Sequence, residues 1–68
     1  MGFETVVLDK VAKVLKSDNK AEFFCGTLCV VCTTPEALKI FKQLNKEYNN
    51  KVEMNPDGSY GYTFDFTA

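Results

Sequence analysis

Phe23-Phe24-Cys25-Gly26-Thr27-Leu28-Cys29-Val30-Val31-Cys32 is the stretch on which the reading of this chain turns, because it is apolar on both of its alternating sides. If it is extended throughout, Phe23, Cys25, Cys29 and Val31 fall on one face, and Phe24, Leu28, Val30 and Cys32 on the other. Such a strand needs cover on both faces. The reading therefore places it as a first strand and looks to the flanking segments for that cover.

Upstream, residues 3 to 16 follow a helical period. Phe3, Val7, Leu8, Val11, Val14 and Leu15 gather on one arc, with Asp9, Lys10, Lys13 and Lys16 opposite. Four valines lower the intrinsic helix propensity, yet the period continues past Leu8, which favours a helix over a strand. Ser17-Asp18-Asn19-Lys20 is a polar stop. Downstream, Thr33 with Glu36 three residues later makes a capping box, and Pro35 sits where a first helical turn tolerates it. Ala37, Leu38, Ile40, Phe41, Leu44 and Tyr48 form the stripe of this second helix, which Asn49-Asn50 ends, since asparagine tolerates the left-handed conformation.

Lys51 to Met54 begins a second strand, Asn55-Pro56-Asp57-Gly58 has type I turn chemistry with a glycine bulge at Gly58, and a last strand follows. In that strand Tyr60, Tyr62, Phe64 and Phe66 share one face, while Gly61, Thr63, Asp65 and Thr67 share the other. The order is α-β-α-β-β without an internal repeat. The fold class expected is α+β: one domain over residues 1–68, with a three-stranded, mainly antiparallel sheet in the order 1-3-2 packed with two helices.

Composition narrows the function. At 68 residues the core is small, so a partner subunit is an open route to stability. With 46% hydrophobic and 25% charged residues the chain should fold. All eight cationic residues are lysines, histidine is absent, and the formal net charge is −1 with a pI near 5.2. Those facts remove the usual reader of phosphates and guanines, the commonest general base and the commonest metal ligand together. No nucleophile has a histidine base, no glycine loop cradles phosphate, and the carboxylates Asp57 and Asp65 are explained by turn and strand-surface roles. No enzyme activity, cofactor or metal is expected. No apolar run reaches membrane-spanning length and no secretory leader opens the chain, so a cytoplasmic protein without membrane association is expected. Three cysteines in such a chain predict reduced thiols.

Cys25, Cys29 and Cys32 have a C-x3-C-x2-C spacing that resembles the cluster loop of radical S-adenosylmethionine enzymes over these eight residues alone. In an extended strand Cys32 turns away from the other two, so one cluster cannot collect all three. Cys29 and Cys32 also have the dithiol spacing of thioredoxin-like proteins just ahead of a helix, and a thiol redox protein using this pair is the alternative reading. The aromatic row of the last strand could stack bases. Without arginine, and with only the stripes Lys10, Lys13, Lys16 and Lys39, Lys42, Lys46 as cations, a nucleic-acid-binding role ranks below both.

The leading expectation is a small protein-binding or self-associating module without catalytic activity. Lysine use without arginine, together with frequent asparagine, fits a phage-type or bacterial accessory protein. Its partner is an unidentified protein or a second copy in a two-fold homodimer, and Phe23, Cys25, Cys29 and Val31 are the candidate interface.

Overall fold

The computed structural model describes residues 2–17, 19–58 and 61–66. The chain is α+β, with helix α1 (Phe3–Leu15), strands β1 (Ala21–Phe24) and β2 (Thr27–Val30), helix α2 (Thr34–Glu47), and strands β3 (Val52–Asp57) and β4 (Gly61–Phe66). The sheet has four antiparallel strands in the order β1-β2-β4-β3, which replaces the expected three strands in the order 1-3-2.

The difference arises at one point. The stretch from Phe23 to Cys32 is two strands folded at Cys25-Gly26, so that Phe24 pairs with Thr27, and Phe23 with Leu28. Cys25 has φ 51° and Gly26 φ 82°, both in the left-handed region that a two-residue type I′ turn requires. Glycine reaches that region freely, and Cys25 is held there at a cost.

Both helices lie on one face of the sheet. Val7 and Val11 of α1 and Ala37, Ile40 and Leu44 of α2 bury against Leu28 and Val30 of β2, Val52 of β3 and Phe64 of β4. The expected helical stripes supply these residues. At one end Phe3, Phe23, Tyr48 and Phe66 close the core with ring centroids 5.1 to 6.2 Å apart, several of them edge to face. Tyr62, Phe64 and Phe66 face the helices as the alternation predicts, with Phe64 fully buried. Tyr60, Asp18 and Thr67, each given a place in the sequence reading, lie outside the described residues.

The helix ends follow their local chemistry. At α2, Thr33 and Glu36 form a complete capping box: the Glu36 carboxylate accepts from the Thr33 N–H at 2.9 Å, and the Thr33 hydroxyl accepts from the Glu36 N–H. Asn49 (φ 57°) and Asn50 (φ 61°) turn left-handed beyond α2, and the Asn50 N–H donates to the Asn45 carbonyl at 2.7 Å. Lys16 does the same for α1 at φ 56°. Lys10 and Glu47 join the two helices with an ion pair of 2.7 Å.

Two expectations about the last hairpin change. β3 runs through Pro56 to Asp57, with Pro56 opposite Tyr62 and Asp57 opposite Gly61, so the turn begins later than Asn55. A proline fits because β3 is an edge strand and the missing N–H can point away from the sheet. Gly58 has no positive φ, and the conformationally demanding glycine is Gly61, at φ 138°. A Cβ there would stand 3.0 Å from the carbonyl oxygens of Val30 and Cys32.

The architecture also repeats where the sequence does not. A helix followed by a hairpin occurs twice, α1-β1-β2 and α2-β3-β4, and the second strands of the two hairpins meet at the centre of the sheet. The strand order reads the same from either edge when the two units are exchanged.

Candidate binding surface

With both helices on one side, no layer lies over the other side of the sheet among the described residues. Alternation and register assign its occupants in rows across the strands. Phe24 and Thr27 continue to Asp65 and Glu53, and Glu22 and Cys29 continue to Thr63 and Asn55. Phe24 is 69% exposed, and Val31, just past β2, is 48% exposed. The Thr27 hydroxyl donates to Asp65 Oδ1 at 2.9 Å, tying β2 to β4 across this face.

The charges that the strands bring to this face have one sign, with Lys20 at its β1 margin. Glu22, Glu53, Asp57 and Asp65 lie on the strands, whose sequences contain no lysine. Glu53 stands directly opposite Asp65, a like-charge pairing that costs sheet stability. The lysine stripes Lys10, Lys13 and Lys39, Lys42, Lys46 are on the helices instead. The helical layer therefore mixes these lysines with Glu4, Asp9, Glu36 and Glu47, whereas the strands bring only carboxylates to the sheet face.

The structure does not bring the four candidate interface residues together. Phe23 packs with the core on the helix side, Cys25 occupies the exposed turn, Cys29 is half-buried on the uncovered face, and Val31 is exposed beyond the strand. The two-residue turn is the reason: it restarts the alternation, so Phe23 shares a face with its partner Leu28 while Cys29 faces the other way with Glu22. Phe24 thereby shares a face with Thr27 instead of Leu28, Val30 and Cys32, and the signal for this in the sequence is Gly26 within a strand-like run.

The proposed dithiol is also split across the sheet. Cys32 packs against the core, whereas Cys29 lies on the uncovered side. Desolvation raises the Cys29 pKa first, and the carboxylates of Asp57, Glu22 and Asp65 raise it further. Desolvation raises that of Cys32 as well, with Glu36 adding to it. Neither thiol is shifted toward thiolate at neutral pH, which is the form that thiol exchange needs.

Two hollows flank the start of β1. One, of about 410 Å³, runs along α1 and is lined by Thr5, Leu8, Asp9, Ala12, Ser17 and Ala21 among others. The second, of about 210 Å³, lies on the uncovered face between Lys20, Glu22, Cys29 and Val31, and also reaches Ala21. Among the described residues no group of three or more His, Cys, Asp or Glu is placed to hold a metal ion, and no helix is long and apolar enough to cross a membrane. Comparison with family models, curated proteins and solved structures finds no match to this chain.

Proposed function

We propose that this chain is a non-catalytic protein-binding module that meets its partner with the uncovered face of its sheet. The observation that carries this reading is Phe24, 69% exposed in a row with Thr27, Asp65 and Glu53. A large aromatic side chain set among polar residues on a rigid sheet is the kind of anchor that dominates binding energy once a partner desolvates it. The carboxylates around it select the partner's charge. Glu22, Glu53, Asp57 and Asp65 attract a surface that offers lysine or arginine around an apolar pocket and repel nucleic acid.

Site-directed photocrosslinking tests the reading. A photoreactive side chain at position 24 is expected to give a discrete adduct with one protein in an extract of the source cells. The same group at Lys42, exposed on α2, should not. Phe24→Ala should abolish binding of that protein while changing stability by no more than about 0.5 kcal/mol, as for an exposed side chain. Equal adducts from both positions, or binding indifferent to Phe24→Ala, would overturn it.

A further inference from the structure

The two edges of the sheet are not equivalent. β3 carries Pro56, which has no N–H to give a neighbouring strand, between Asn55 and Asp57. β1 has no such guard. The Val31 N–H donates to the Lys20 carbonyl at 2.7 Å, so Lys20 turns its backbone groups toward β2. Antiparallel alternation then turns those of Glu22 and Phe24 the same way, and directs the N–H and C=O of Ala21 and Phe23 outward at the free edge.

We propose that the β1 edge pairs antiparallel with the β1 edge of a second copy about a two-fold axis at Ala21, extending the sheet across both copies. Charge selects this register. With Ala21 opposite the partner's Ala21, Lys20 stands opposite the partner's Glu22 and Glu22 opposite the partner's Lys20, so each contact is made twice. Moving the axis to Glu22 would set Glu22 against the partner's Glu22. Moving it to Phe23 would leave Lys20 beyond the pairing and Glu22 against the partner's Phe24.

Shape supports the same axis, since both hollows beside β1 reach Ala21. On the helix side, Thr5, Leu8 and Ala12 line one flank of α1 at i, i+3 and i+7, and the corresponding flank of the partner's α1 would fill the space above Ala21. On the other side, the paired Lys20 and Glu22 side chains would occupy the smaller hollow. Because Pro56 blocks the opposite edge, addition stops at two copies and no fibre grows. The pairing takes up Glu22 at the β1 margin of the uncovered face and leaves Phe24 and Glu53 on it, so loss of the dimer and loss of partner binding by Phe24→Ala are read separately.

Sedimentation equilibrium of the intact chain from about 1 to 500 μM decides the matter, a range that brackets micromolar association. A dimer is expected for the wild type. Glu22→Lys and Lys20→Glu are each expected to weaken it about tenfold or more, because each turns both attractive contacts repulsive. An equimolar mixture of the two variants restores opposite charges at both contacts and should recover the dimer. Melting curves of the separate variants verify that each is folded, and the double variant Lys20→Glu/Glu22→Lys should also dimerise. A monomeric wild type throughout the range, or single variants that dimerise like the wild type, would overturn the proposal.

Discussion

Cys25 and Gly61 show how much of this fold rests on single backbone angles. Cys25 holds φ 51° at the first position of a two-residue turn, where asparagine is the residue of choice. Cys25→Asn is therefore expected to stabilise the protein by about 0.5 to 1 kcal/mol, raising the melting temperature by several degrees. A fall in melting temperature would contradict the turn. At Gly61 an added Cβ would press on the backbone carbonyl oxygens of Val30 and Cys32, and φ 138° is itself a conformation that side chains strain. Gly61→Ala should cost roughly 2 to 4 kcal/mol in urea denaturation, while Gly58→Ala, which meets no atom within 4 Å and no positive φ, should stay within about 0.5 kcal/mol. Phe64, fully buried, belongs to the ordinary class of core residue, and Phe64→Ala should cost roughly 3 to 5 kcal/mol.

At the scale of the elements, the helices were legible because their signals are local. A capping box, a proline at the start and a 3.6-residue stripe lie within a few turns of one another, and α2 begins and ends where those residues place it. The capping box also fixes a pH dependence. Hydrogen bonds from the Thr33 N–H and hydroxyl lower the pKa of Glu36 from its usual value. Its folded-state pKa thus lies below the unfolded one, so its contribution is complete above the ordinary carboxylate range and lost as pH falls through the folded value. Thr33→Ala should cost about 1 kcal/mol near neutrality. The stability difference between wild type and Glu36→Gln, measured from urea midpoints, should shrink on acidification from pH 7 to 3, a range that spans carboxylate titration. A constant difference would show that the carboxylate is not the group titrating. The first hairpin was not legible, because Phe23 to Cys32 supports alternation through a turn that lacks the usual asparagine or aspartate. Once that turn is missed, every side chain on one side of it is placed on the wrong face.

Over the whole molecule, the strands carry carboxylates without lysine, whereas the helices carry both signs. Glu53 opposite Asp65 is retained on a face where sheet stability alone would favour opposite charges. Glu53→Lys should consequently stabilise the fold by a few tenths to about 1 kcal/mol while weakening binding of a cationic partner. An unchanged partner affinity would show that these carboxylates lie outside the contact. The overall charge of −1 conceals this distribution, since the strands carry only carboxylates while the lysines of the helices stand beside Glu4, Asp9, Glu36 and Glu47. Composition could therefore argue against nucleic acid without revealing which surface carries the charge. The number of strands and the residues placed on the uncovered side depend on the single turn at Cys25-Gly26, and that is why this face is not legible in the sequence.

The meeting of β2 and β4 has a kinetic consequence. Each helix–hairpin unit is built from contacts between neighbours in the chain, which form quickly and at small entropic cost. Leu28 with Phe64 and Val30 with Tyr62, by contrast, join residues from opposite halves of the chain. Closing that seam carries the main loop-closure cost, so it is the natural rate-limiting event in folding. Truncations at Leu28 or Val30 should slow refolding, and weakening the first turn, whose contacts are already formed when the seam closes, should slow it too. The central line of the sheet would then be the last part of the molecule to assemble, although it is the most deeply buried.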